Sequence, residues 1–236
     1  MSSAPTDLDR PRVRELLNSV RSVEGIGQRL DAISRQFMGT PYISNPLGGG
    51  PSDQEVLSLS LKGFDCVTLV ECALALARSD TPARFVECLQ SLRYSNGVVA
   101  WARRNHYMSA WIRANVRARF VRNVTAGSGL VARERFLDVV DGIKSRKVSV
   151  KSLPKRLFMR RISEVSNGDL VFFASTRAHL DVFHCGVLSV DQTGEVCLRH
   201  AARSRGRVVE QTLPSFLDAN RMSGLILVRP TESSIR

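Results

Sequence analysis

The sequence predicts an α+β protein, with helices in the first part of the chain and an antiparallel sheet in the last third. Apolar residues recur at helical spacing before residue 119, and short β-branched or alternating segments separated by turn residues follow it. A third observation is the stretch 67–77, in which only Thr68 and Glu71 are polar. Such a helix is apolar nearly all round, so we expect it to run through the core and pack on the sheet.

Helical periodicity and start signals locate the individual helices. Gly39 and Pro41 end the second helix, and Thr81-Pro82 begins the fourth. The last helical stretch holds both tryptophans, an aromatic cluster that is typical of a core. The helices are predicted at residues 13–20, 26–37, 66–78, 82–92 and 101–118.

Alternating apolar residues and turn signals locate the strands. Asn167-Gly168 and the segment 191–194 are typical turns at the ends of such strands. Strands are predicted at residues 169–175, 181–190, 195–202 and 224–229.

Cys66 occupies the predicted first position of the buried helix, after Gly63 and a potential N-cap at Asp65. Unpaired N–H groups and the positive end of the helix dipole favour a thiolate at this position. The pattern therefore indicates a nucleophile, although a cysteine here is equally compatible with a small buried apolar side chain.

Two histidines fall in one predicted hairpin, and its register decides whether they meet. A loop over 191–194 would place His184 opposite Ala201, whereas a shift of one residue would place it opposite His200. In the second register one imidazole can orient the other by a hydrogen bond. Strand alternation puts Cys185 on the other face, so we expect it to lie outside any site that contains His184.

The composition favours attraction to polyanions without selecting one. The chain of 236 residues has 34 Lys and Arg against 22 Asp and Glu, a net charge of +12. A role in solubility would explain the same excess of positive charge. The basic residues between 144 and 161 form either one positive face or scattered solvated charges. A basic nucleic-acid-binding protein is a further alternative, but no helix-turn-helix or RNP pattern is present, so we expect no nucleic-acid partner.

Cysteine spacing and hydropathy exclude several other classes. The 5 cysteines cannot all pair and contain no CxxC, so we expect reduced thiols, no zinc site and no metal or other cofactor. No segment approaches the length of a membrane span, and residues 1–14 have no apolar run typical of a secretory signal. We therefore expect cytoplasmic storage, a non-classical export route or a trimmed chain.

Several segments together resemble the NlpC-type papain-like cysteine hydrolases of bacterial cell walls. These segments are Gly39-Thr40-Pro41-Tyr42, Phe64-Asp65-Cys66, Gly168–Phe173, His184-Cys185-Gly186-Val187 and His200. His106-Tyr107 followed by Trp111, Leu180-Asp181 and Val228-Arg229-Pro230 are more narrowly similar to a branch of N-acetylmuramoyl-L-alanine amidase-like proteins.

The resemblance implies a papain-like fold with a role for each matching residue. Cys66 would be the nucleophile, His184 its base and His200 the residue that orients the base. Tyr42 and Asp65 would line the substrate cleft. The family pattern has a serine after the cysteine, where this chain has Val67.

His106 and Tyr107 would also contact substrate, with a structural role for His106 as the alternative. The implied organisation is a flexible or helical N-terminal extension at residues 1–25, of which 1–11 are disordered, and one catalytic domain at 26–236.

The implied activity is hydrolysis of the amide between N-acetylmuramic acid and L-alanine in peptidoglycan or a muropeptide. The alternatives are cleavage of a γ-D-glutamyl bond in the stem peptide and a non-catalytic basic binding protein. The expected place of action is the cell envelope. A role as an antibacterial effector would add an immunity protein as a partner.

Overall fold

The computed structural model describes residues 7–125 and 129–232. Within these residues the helices come first and the main sheet follows, as the sequence predicts. The helices are α1 (Arg10–Ser19), α2 (Ile26–Gln36), α3 (Cys66–Ala77), α4 (Pro82–Arg93), α5 (Met108–Arg117), α6 (Lys155–Arg160) and α7 (Leu213–Ala219).

The strands form a six-stranded antiparallel sheet and a separate two-stranded ribbon. The sheet has the order β1-β8-β4-β5-β6-β7, and the ribbon pairs β2 with β3. The bounds are β1 (Val121–Asn123), β2 (Val131–Leu137), β3 (Arg146–Ser152), β4 (Leu170–Ala174), β5 (Val182–Val190), β6 (Val196–Ala202), β7 (Arg207–Thr212) and β8 (Gly224–Pro230).

The sheet separates two hydrophobic cores. The larger core lies between the sheet and helices α1 to α5, and contains Val13, Leu74 and Phe172. The smaller core lies on the other face of the sheet, where Phe216 of α7 packs against Phe173 of β4 at 4.5 Å between ring centroids. Helices therefore cover both faces of the sheet.

The helix predicted at 66–78 is the centre of the larger core. Every residue of α3 from Thr68 to Ala77 is buried. Glu71, the one buried carboxylate of this helix, pairs with Arg93 of α4 at 2.7 Å and accepts a hydrogen bond from the Trp111 indole at 3.1 Å. This network satisfies a charge that would otherwise be costly to bury, and it ties α3 to α4 and α5.

The sequence predicts disorder over residues 1–11, and this prediction is wrong for the last residues of that segment. Helix α1 begins at Arg10, with Asp9 as its N-cap, and Asp7 accepts a hydrogen bond from the Leu59 amide at 3.0 Å. Residues 1–6 lie outside the described part of the chain. Asp-x-Pro is itself a helix-start signal, so the polar composition of this segment misled the prediction.

Strands β4, β5, β6 and β8 lie within one residue of the predicted bounds, whereas β1, β2, β3, β7, α6 and α7 have no predicted counterpart. These elements are short, and the β7 sequence RVVEQT, for example, has only two apolar residues, so the periodic signal is weak. Within residues 7–125 and 129–232, no helix has the length and apolar character that crossing a membrane requires.

Candidate active site

The chain turns sharply into α3, and this turn places Cys66 at the first helical residue. The Asp65 carboxylate accepts hydrogen bonds from the Thr68 amide and hydroxyl, both at 2.8 Å, and Thr68 Oγ1 accepts from the Asp65 amide at 3.0 Å. This capping box fixes where the helix begins. The amides of Cys66 and Val67 make no hydrogen bond within the described residues, so two N–H donors remain beside the half-buried thiol.

His184 of β5 and His200 of β6 meet, but through neither of the two predicted registers. The strands pair Val187 with Arg199 and Val190 with Val196, so the connecting loop has five residues instead of four. Continued along the strands, this register makes the two histidines diagonal neighbours on one face. His184 Nε2 nevertheless lies 2.7 Å from His200 Nδ1, because imidazoles are long enough to bridge a diagonal pair.

Gly186 explains how the diagonal contact fits. This glycine lies opposite His200, and a Cβ atom added to it would approach the His200 Cβ to 3.1 Å and the Arg199 carbonyl oxygen to 2.7 Å. A larger residue would therefore occupy the space across which the two rings meet.

A β-bulge lies directly before His184. Phe173 pairs with His184 and Ala174 pairs with Val182, so Phe183 is an extra residue on β5. Bulges bend a strand and redirect the neighbouring side chains, and they are frequent beside active sites.

The prediction that Cys185 lies outside the site is wrong. Its thiol donates a hydrogen bond to the Cys66 carbonyl oxygen at 3.2 Å, while His184 interacts with the same cysteine through its side chain. Strand alternation does send the two side chains to opposite faces. Cys66 lies where a helix end meets a bulged strand, so residues from both faces reach it.

Neighbouring groups strongly favour the thiolate of Cys66. A hydrogen bond from the Cys185 thiol and an interaction with the His184 imidazole hold the pKa of Cys66 well below its ordinary value, against the opposing effect of burial. Conversely, Cys66 and burial hold the pKa of Cys185 well above the ordinary value, so Cys185 remains a protonated donor.

His200 remains neutral at physiological pH. Burial, followed by the proximity of His184, lowers the pKa of His200 to about 3. Gln211 of β7 lies 3.3 Å from His200 Nε2, and its carboxamide offers both a donor and an acceptor. Gln211 can therefore partner either tautomer of His200 while the other ring nitrogen faces His184.

Tyr42 and Asp65 both lie close to Cys66. The backbone of Tyr42 bridges to Phe64, two residues before Cys66. Burial and the proximity of Cys66 raise the pKa of Asp65 to about 6. Burial, followed by the proximity of Cys66 and Asp65, also raises the pKa of Tyr42. The positive charge of Arg203 partly opposes this rise.

His106 and Tyr107 lie in a different cavity from the two paired histidines. His184 and His200 line a cavity of about 810 Å³ together with Gln211 and Phe216. His106 and Tyr107 line a separate cavity of about 310 Å³, which shares no lining residue with the first. The structure thus brings together Cys66, His184, His200, Tyr42 and Asp65, but leaves His106 and Tyr107 apart from them.

Sequence reasoning missed Cys185, Gln211 and Arg203 as residues of this site. Gln211 belongs to the unpredicted strand β7. Arg203 lies near Tyr42 because residues 206–208, in the turn after β6 and the start of β7, pair with residues 39–42. A signal existed for Cys185 alone, as the immediate neighbour of His184, and the alternation rule argued against it.

Comparisons with known proteins identify the family and the fold of the chain. A family model described as AmiA-like, N-acetylmuramoyl-L-alanine amidase-like, matches residues 32–225. No curated protein sequence matches the chain significantly.

Two solved structures share the fold. A Legionella pneumophila protein, described by the family model DUF1460, has a TM-score of 0.82 at 20% identity and covers 94% of both chains. An N-acetylmuramoyl-L-alanine amidase from Bacteroides uniformis has a TM-score of 0.74 at 21% identity and covers 88% of this chain and 99% of its own.

Proposed function

Because the chain belongs to the AmiA-like, N-acetylmuramoyl-L-alanine amidase-like family, we propose that it is a cysteine-dependent peptidoglycan hydrolase of papain-like type. The proposed bond is the amide between N-acetylmuramic acid and L-alanine. The observation that carries the proposal is the convergence of a helix-start thiol with a pair of hydrogen-bonded imidazoles. Residues 26–236 are the proposed catalytic domain, and α1 packs into the same core.

In the proposed reaction, Cys66 attacks the amide carbon as a thiolate. Its lowered pKa means that the thiolate is present at neutral pH without a separate deprotonation step. Since His184 Nε2 is engaged by His200, the Nδ1 atom is the one left for the thiol. His184 would then carry the thiol proton and deliver it to the departing amine.

The tetrahedral intermediate places a negative charge on the former carbonyl oxygen. The free amides of Cys66 and Val67 are the proposed donors to this oxyanion, and the α3 dipole adds to their effect. After the amine leaves, water activated by His184 hydrolyses the thioester and regenerates the thiol.

His200 is the proposed orienting residue. A neutral imidazole at 2.7 Å can accept the Nε2 proton of the His184 imidazolium. The Gln211 side chain lies 3.3 Å from the other ring nitrogen of His200 and helps to hold that ring in place. Such an arrangement fixes the tautomer and ring orientation of the base, the task that a carboxylate or amide performs in other triads.

The proposed place of action is the cell envelope, where the substrate lies. The net charge of +12 favours adsorption to an anionic wall, and rising salt is expected to weaken that adsorption.

The proposal predicts that Cys66→Ala and His184→Ala each lower turnover of purified peptidoglycan by roughly three orders of magnitude or more. Cys197→Ser removes a thiol of β6 that the site does not use, and should retain activity. The measurement is mass spectrometry of the soluble products, with circular dichroism to verify folding.

The products decide between the proposed bond and its alternatives. Intact stem peptides with a free L-alanine amine support the amidase, whereas split stems identify a γ-D-glutamyl endopeptidase. Wall binding without any thiol-dependent product would indicate the non-catalytic alternative.

A further inference from the structure

A second concave site lies away from the paired histidines and is lined by arginines. It is the cavity of about 310 Å³ that contains His106, and we call it the arginine pocket. Its walls come from the turn at Trp101–Arg103, from α5 and from the start of β3. The guanidinium groups that line it without an acidic partner are those of Arg103, Arg113, Arg117 and Arg146.

These four side chains are exposed, and none donates a hydrogen bond to an acceptor within the described residues. Arg146 only lies over the Tyr107 ring, 6.0 Å from its centroid. In contrast, Arg104 at the edge of the same pocket is engaged by Glu55, with N···O distances of 2.8 and 2.7 Å. No Asp or Glu lines the pocket, so the positive charge is not neutralised there.

Clustering of these charges is unfavourable for the isolated protein. Arg113 and Arg117 are four residues apart on α5, a spacing at which like charges repel. Arg117 lies in the last helical turn, where the helix dipole favours a cation, but that effect does not account for the other three. A bound anion would offset the repulsion among all four.

A hydrogen bond holds His106, which lines the pocket, against the neighbouring Trp101. His106 Nε2 lies 2.8 Å from the Trp101 carbonyl oxygen, and the two rings are in tilted contact at 4.4 Å between centroids. The Trp101 indole in turn donates to the Asp141 carbonyl oxygen at 2.8 Å. A carbonyl can only accept, so Nε2 carries the proton.

Burial lowers the pKa of His106, so the ring is neutral and its Nδ1 is an acceptor. The pocket therefore combines several forked cationic donors with a single acceptor. Guanidinium forks match phosphate oxygens, and an acceptor suits a hydroxyl group on the same ligand.

We propose that the arginine pocket binds a phosphorylated polyol, through Arg103, Arg113, Arg117 and Arg146 to the phosphate and through His106 to a hydroxyl. Four cations around one cavity favour phosphate over a single carboxylate. A phosphate and a hydroxyl group on one polyol occur both in a free phosphomonoester and in a polymer whose polyol units are linked by phosphodiesters.

Isothermal titration calorimetry in a phosphate-free buffer of fixed ionic strength tests this proposal. The probes are glycerol phosphate for the monoester source and glycerophosphoglycerol for the diester source, with acetate as the carboxylate control. The pocket variant is Arg113→Gln with Arg146→Gln. The matched control is Arg122→Gln with Arg133→Gln, which removes the same charge from exposed positions outside the pocket.

The pocket variant should weaken binding of the preferred phosphate probe at least tenfold, and the control variant should change it less than twofold. The probe that binds more tightly identifies the source. Cys66→Ala should bind as the wild type does, so this test does not depend on the proposed hydrolysis.

Absence of saturable binding of both phosphate probes by the wild type would overturn the proposal. Equal weakening in the two double variants would also overturn it, since general charge would then explain the binding. Acetate binding as tight as that of phosphate would contradict the ligand class.

Discussion

Cys66 and Cys72 lie six residues apart on the same apolar helix, yet their thiols differ strongly. Cys66 is half-buried in the first turn, and the Cys185 thiol and His184 hold its pKa well below the ordinary value. Cys72 is buried in the middle of α3, and burial raises its pKa to about 12. The nearby Arg93 opposes this rise, but Glu71, which pairs with that guanidinium at 2.7 Å, raises the pKa of Cys72 in turn.

The comparison teaches that the local environment, and not the residue type or the helix, decides how readily each thiol ionises. A helix end supplies free amides and room for polar neighbours, whereas the middle of the same helix supplies only desolvation. Both cysteines satisfy the same apolar pattern in the sequence.

The largest expected effect is selective alkylation. At pH 7 we expect iodoacetamide to modify Cys66 at least a hundredfold faster than Cys72, as measured by peptide mass mapping over time. The Cys66 rate should fall as the pH is lowered through its depressed pKa, because protonation removes the thiolate. His184→Gln should slow modification of Cys66 without accelerating that of Cys72. Equal alkylation rates at Cys66 and Cys72 would contradict the difference between their pKa values.

An intermediate effect is expected at Cys185. Cys185→Ala removes the side-chain interaction that lowers the pKa of Cys66, so the midpoint of the Cys66 alkylation profile should move about one unit to higher pH, equivalent to about 1.4 kcal/mol. Cys185→Ser keeps a donor and should move the midpoint much less. Identical profiles for the two variants would assign Cys185 a packing role only.

The smallest effect is expected at Asp65. Asp65→Asn removes a negative charge beside the thiolate but retains a capping oxygen, so the alkylation midpoint should move to lower pH by less than one unit. Asp65→Ala should give the same shift and also lose about 1 kcal/mol of stability with the cap.

Asp65 also provides a pH dependence of stability with a defined sign. Its pKa rises from 3.8 in the unfolded chain to about 6 in the folded protein, so the folded state binds more protons between these values. The free energy of unfolding should therefore fall through this group as pH rises from about 4 to about 6. Asp65→Asn should remove that fall in denaturant titrations; an unchanged slope would contradict the raised pKa.

Local signals in the sequence sufficed for much of this molecule. Asp65 and Thr68 are three residues apart, so the capping box that places Cys66 at the helix start is legible without any tertiary contact. The apolar run of α3 and the alternation of β5 and β8 are likewise properties of neighbouring residues. The α+β class follows from their order along the chain.

The site itself depends on contacts that no local pattern encodes. The five-residue loop makes His184 and His200 diagonal partners, the packing of α3 against β5 brings Cys185 to Cys66, and an unpredicted strand supplies Gln211. No local pattern encodes the position of His106 in a different cavity from the paired histidines either. The sequence determined that Cys66 begins a buried helix and that His184 and His200 lie on neighbouring strands, because capping and periodicity act within one turn or strand. Only the tertiary structure decided which of them meet, because strand register, a bulge and the packing of distant segments depend on the whole chain.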